Sequence, residues 1–177
     1  GLDGTIGIGT NALGSLLTGA RNLAIGYRAL YHTDTGTDNI AIGYKALSDQ
    51  DVGGSGHAAD SDHNIAIGSL AMSGAWTDAK TEYNVGIGNY VMDAAMDGAE
   101  HNTAVGHATL SILTTGDYNT VMGSGAGDVI TTGIKNTCIG YGTDPNGAGT
   151  DNQTVIGYGA VGQGDNTVTL GNGNVTE

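Results

Sequence analysis

The chain has 177 residues, of which 33 are glycine, five are basic and 18 are acidic, for a formal charge of −13, and it contains no phenylalanine, one tryptophan and one proline. Leu, Ile and Val contribute only 34 residues, too few to fill a conventional globular core, and low aliphatic content with high net charge is by itself the composition of a disordered chain. Such a surface repels a phosphate backbone, which excludes nucleic acid as a partner, and only a regular order of residues overturns the disordered reading.

That order is present from Thr5 onward. An Asn-x-x-(Ile/Val/Met)-Gly unit recurs at Asn22 to Gly26, Asn39 to Gly43, Asn64 to Gly68, Asn84 to Gly88, Asn102 to Gly106, Asn119 to Gly123 and Asn136 to Gly140. Degenerate copies end at Gly9, Gly157 and Gly171. Successive anchor glycines are 17, 17, 25, 20, 18, 17, 17, 17 and 14 residues apart. With the anchor as position 0, position −1 is apolar in every copy, including Ile25, Ile42, Ile67 and Ile87, and position −3 is β-branched in all but Leu23. This is a strand pattern of period two. Position −2 is mostly Gly or Ala, so the expectation is that the bulky face turns into a core and the small face admits a neighbouring backbone.

A second apolar mark at +4 (Leu13, Leu30, Leu47, Met72, Met92, Leu110), broken at Gly127 and Asp144, gives each unit a second strand-like piece. Glycine at −7 (Gly19, Gly36, Gly116, Gly133) marks the return turn. A 17-residue unit cannot bury its own apolar face, but stacked copies can, each pairing with the one before. The fold class is therefore all-β, a parallel β-roll of about ten coils spanning 1–177 as one domain. The Asn column either forms a hydrogen-bonded ladder or serves the turn before each strand.

The segment Asn39-IAIG-YKAL and its relatives resemble the head repeats of trimeric autotransporter adhesins, typified by the Yersinia adhesin. The longer units carrying LTTG or ITTG (Leu113 to Gly116, Ile130 to Gly133) resemble repeats of phage tail-fibre and virion-fibre proteins. The resemblance implies a left-handed parallel β-roll in which three copies associate side by side, with the strands facing the partner chains. It further implies a virion or extracellular cell-surface location. The units here mostly run 17 residues against the 14 typical of the adhesin heads, and the sequence up to Glu177 carries no stalk or anchor pattern, so the expectation is the virion-fibre branch, with a bacterial adhesin head as the alternative.

The excess spacing before Gly68 and Gly88 marks loop insertions at about 49–63 and 74–83, where binding surfaces tend to reside. Asp49, Asp51, His57, Asp60, Asp62 and His63 offer oxygen and imidazole donors. Calcium takes six to eight oxygen ligands, but no calcium-loop spacing is present, and the competing reading is a solvated loop without any cofactor. Tyr27, Tyr44, Tyr141 and Tyr158, each directly after an anchor glycine, form an intermittent aromatic column that either covers the turn or contacts carbohydrate. His101 and His107 flank one strand as rim residues.

No stretch of 18 apolar residues exists for a membrane span. Glutamate occurs only at Glu82, Glu100 and Glu177, no nucleophile motif is present, and Cys138 occupies the small-residue column. The expectation is a non-enzymatic structural and host- or surface-recognition module. A glycan-processing enzyme of tailspike type is the rival, and a cell-surface glycan or protein receptor is the partner expected beyond the two further copies.

Overall fold

The computed structural model describes residues 3–32, 35–48, 61–76 and 79–175. Ten three-residue strands follow in chain order: β1 (Ile6–Ile8), β2 (Leu23–Ile25), β3 (Ile40–Ile42), β4 (Ile65–Ile67), β5 (Val85–Ile87), β6 (Thr103–Val105), β7 (Thr120–Met122), β8 (Thr137–Ile139), β9 (Thr154–Ile156) and β10 (Val168–Leu170). They form one parallel sheet in sequential order. The register places equivalent positions opposite one another, for example Ile40 against Ile65, Ala41 against Ala66 and Ile42 against Ile67. Parallel neighbours joined by one coil of chain make this a β-solenoid, and ten coils at about 4.8 Å give a rod on the order of 50 Å. Among the described residues no helix is long and apolar enough to cross a membrane.

The structure reverses the expected facing of the strands. Ala24, Ala41, Ala66, Ala104, Val121, Cys138 and Val155 at −2 are buried, whereas the bulky −3 and −1 positions lie on the outer surface, half-buried or exposed. The reason is volume. The interior is a narrow tube already occupied by Leu30, Leu47, Met72, Met92 and Leu110 at +4 and by Met96, Leu113 and Ile130 ten residues before an anchor. A Cβ added to Gly86 at −2 would lie 3.0 Å from Met92 and 3.1 Å from Met72. Where −2 grows to Val121, the same coil shrinks +4 to Gly127, whose added Cβ would lie 3.1 Å from Val121 and 2.9 Å from Leu110. These coils thus hold their core volume by exchange between two positions, as close packing demands.

The second apolar piece is not a strand. Its residues alternate into the left-handed region, with φ of 53° and 52° at Arg28 and Leu30 and 52° and 48° at Lys45 and Leu47, which breaks the extended path. The coils nevertheless stay bonded there, Leu30 N–H donating to Ala46 O and Leu110 N–H to Ala126 O, both at 3.0 Å. The left-handed turn at +4 tips these long side chains into the tube.

The anchor glycines are a steric requirement. Gly106 has φ of 142°, and a Cβ there would stand 2.6 Å from both the Gly123 carbonyl oxygen and Thr109 Oγ1. Gly125 has φ of 63° with open space around it, and Ala108 adopts the same turn position at φ 50°. Gly106→Ala is therefore expected to lower stability by about 3 kcal/mol or more, while Gly125→Ala should stay within about 1 kcal/mol. Thermal melts of the two variants check this, and equal melting temperatures would contradict it.

Candidate functional site

The chemistry-bearing residues of this molecule fall into columns that run along the rod, because each is set by its distance from an anchor glycine. The innermost column is asparagine at −4. Asn39 N–H donates to Asn22 Oδ1 at 2.9 Å, and the same contact recurs from Asn64 to Asn39, Asn84 to Asn64, Asn102 to Asn84, Asn119 to Asn102, Asn136 to Asn119 and finally Gln153 to Asn136, at 2.9 or 3.0 Å. Each amide nitrogen also donates to a carbonyl of the next coil, as Asn102 Nδ2 does to Gly116 O at 2.8 Å and Asn119 Nδ2 to Gly133 O at 2.9 Å. All seven asparagines are buried. A side chain with one acceptor and two donors is what a buried link between two backbones needs, and aspartate or leucine in its place leaves partners unsatisfied.

A second column at −6 works at the surface. The carboxylates of Asp62, Asp117, Asp151 and Asp165 accept from Thr37, Glu100, Ile134 and Asp151 N–H at 2.6, 2.8, 2.9 and 2.9 Å. Asp62 also accepts from Thr37 Oγ1 at 3.1 Å and lies 3.7 Å from Lys80 Nζ. Of the loop residues named as donor candidates, Asp62 and His63 are thus engaged with the coils beside them. Asp49, Asp51, His57 and Asp60 lie outside the described residues, and among the described residues no group of three or more His, Cys, Asp or Glu side chains converges.

The outer sheet face carries two apolar columns. Ile8, Ile25, Ile42, Ile67, Ile87, Val105, Met122, Ile139, Ile156 and Leu170 stand at −1, and Ile6, Leu23, Ile40, Ile65 and Val85 at −3, giving way to threonine in β6 to β9. Exposure reaches 49% at Met122 and 70% at Val168 and Leu170. An apolar strip running the length of a rod exceeds what isolated soluble proteins ordinarily leave open.

Aromatic columns border this face on both sides. After the strands, Tyr27 stacks on Tyr44 with centroids 5.5 Å apart and Tyr141 on Tyr158 at 5.3 Å, with Arg28 over Tyr27 and Lys45 over Tyr44. Before the strands, at −5, His63, Tyr83, His101 and Tyr118 form a continuous stack spaced 4.8, 4.9 and 5.0 Å. His101 belongs to this ladder, whereas His107 meets Tyr90 edge-on on the opposite border. Sequence reasoning missed the ladder, although its residues share one offset from the anchor. At the head of the same column Arg21 grips Asp38 through two hydrogen bonds of 2.7 and 2.6 Å, which hold the Asp38 carboxyl below its ordinary range.

Two groups are perturbed inside the tube. Burial, reinforced by the charge of Asp144, pushes the Cys138 thiol up to about 12, so it is not a thiolate at neutral pH. Asp144 occupies the +4 position that the first six coils fill with Leu or Met. One of its oxygens is buried without a hydrogen-bond partner, and desolvation together with the Asp128 charge raises its carboxyl to about 6. Comparison with family models, with curated proteins and with solved structures gave no match.

Two outcomes follow. Asn102→Ala strips both the Asn119 N–H and the Gly116 carbonyl of a buried partner and should cost about 2 to 5 kcal/mol in chemical denaturation. Asp144, with its pKa raised in the fold, opposes folding fully above pH of about 6, and this opposition fades as pH falls toward the unfolded value. Asp144→Asn should therefore raise the melting temperature at pH 7.5 and lose that advantage near pH 4, whereas an advantage that grows on acidification would contradict the assignment.

Proposed function

We propose that the chain is a structural and surface-recognition module of a trimeric fibre, a phage tail fibre or other virion-surface fibre, in which three left-handed rolls stand side by side with their sheets turned toward a common axis. The observation that carries this reading is the outward-facing −1 column of the ten-stranded sheet, apolar in every strand, with β-branched residues beside it at −3 in all strands but β2. Among the described residues these columns stay half-buried or exposed, and β-branched residues on a parallel sheet suit packing against an equivalent sheet. Resemblance of the Asn-x-Ala-Ile-Gly units to adhesin and virion-fibre repeats supports the number three.

In this arrangement the protein acts mechanically. Buried asparagine links and backbone bonds between every pair of coils resist bending of the rod, and three rods fused along their apolar faces resist it further. The repeated outer surface offers many weak contacts to a cell-surface glycan or protein receptor, which summed binding makes strong. The role is non-catalytic: the one thiol is held protonated inside the tube, and the described histidines of the −5 column are engaged in ring stacking. A bacterial adhesin head would use the same surfaces and differs in the assembly that carries it, on the virion surface or on the extracellular face of a cell.

Native mass measurement at micromolar concentration should give three chains, and Ile67→Asp on the outer face should reduce this to one chain with the β-sheet circular dichroism retained. A wild-type mass of one 17.6 kDa chain would overturn the proposal. Labelled trimer binding to whole cells or to a glycan array then tests recognition, and a lack of binding to every surface would leave scaffolding as the role.

A further inference from the structure

The two aromatic borders of the sheet are complementary level by level. At −5 the coils from β2 to β9 present Arg21, Asp38, His63, Tyr83, His101, Tyr118, Lys135 and Asn152. At +1 the same coils present Tyr27, Tyr44, Ser69, Asn89, His107, Ser124, Tyr141 and Tyr158. Where one border carries a tyrosine, the other carries a small, polar or charged residue: Tyr83 with Asn89, Tyr118 with Ser124, Tyr141 with Lys135, Tyr158 with Asn152. Only the β6 coil has a ring on both borders, His101 and His107. These rings are open, Tyr118 at 54% and Tyr141 at 60% exposure, and the parallel stacks among the described residues run along each column.

We infer that the −5 border of one chain and the +1 border of a second copy form the seam between adjacent protomers, in axial register, with each level receiving its aromatic ring from one side only. The inference rests on the side-by-side trimer. When three identical sheets face one axis, rotation brings the border before the strands of each chain against the border after the strands of the next, with like coils at like height. Two tyrosine columns at the same height would crowd the seam, and two polar ones would leave it open. Alternation fills it once per level, and it places Lys135 beside Tyr141 of the neighbour, where a cation over a ring is favourable. The same alternation penalises an axial slip. A shift by two coils would set the neighbour's Tyr158 against Tyr118 and leave its Asn89 against Asp38. Register along a repetitive rod is weakly fixed by its −1 column, apolar at every level, and the borders supply what that column lacks.

The test is disulfide trapping in a Cys138→Ala background, since alanine fills that column in other coils. Tyr118→Cys with Ser124→Cys puts both thiols at one level. Within one chain these positions are separated by six residues of mostly extended backbone, on the order of 15 Å, too far for an intrachain bridge. Mild oxidation should yield a covalent trimer on a non-reducing gel, about tenfold more than the pair Tyr118→Cys with Tyr158→Cys, which lies two coils out of register and beyond disulfide reach. Native mass is measured on both before oxidation. A trimeric mass with equal or reversed trapping, or with Tyr118→Cys alone bridging to itself, would overturn the seam and leave the trimer standing. A monomeric mass would overturn both.

Discussion

Everything in this rod depends on one buried contact, the backbone N–H of an asparagine donated to the side-chain oxygen of the asparagine one coil earlier. The strands are three residues long, and three residues of parallel ladder are a weak basis for a sheet. The asparagine immediately before each strand from β2 to β8 extends the coil-to-coil bonding inward through a side chain. It accepts from the next backbone and donates to the next return turn, so two points of the following coil are fixed by one residue. Being buried, the contact has no competing water, and any registry that displaces it leaves several polar groups unsatisfied. The period of the chain is thereby set by hydrogen bonding rather than by the volume of a core.

A core of this thinness explains the composition. The tube admits alanine or glycine at −2 against Leu or Met at +4, or Val121 against Gly127, and nothing larger on both sides. Large aliphatic residues are consequently displaced to the outside of the sheet, where they serve association instead of folding. Asp144 at a +4 position, with Cys138 at −2 of the same coil, breaks this economy, as does the next coil, where Val155 is buried and Val161 at +4 is turned out; the raised carboxyl of Asp144 is the electrostatic mark of it.

The period, the strand positions and the solenoid class were legible in the sequence because sterics require the anchor glycine at every coil and hydrogen bonding requires the asparagine from β2 to β8. The facing of the strands was not, since the usual rule that bulky residues point inward presumes a core with room for them. A sign of the reversal was present in the paired change at Val121 and Gly127. The left-handed turns at +2 and +4 were hidden for another reason: they are occupied by Arg28, Lys45, Leu30 and Leu47, residues with no preference for positive φ. There the coil-to-coil bonds outweigh a local cost of about 1 to 2 kcal/mol per residue. The −5 ladder escaped notice because its rings alternate between His and Tyr and share an offset from the anchor rather than a letter.

The most direct measurement of the central claim is residue-resolved amide hydrogen exchange in the assembled protein. If the asparagine chain holds the coils together, the N–H groups of Asn64, Asn84, Asn102 and Asn119 should exchange as slowly as those of the strands and open only with global unfolding. Exchange at these positions as fast as at the surface N–H groups of Ala95 and Ile112 would show that the ladder is not the bond on which the rod depends.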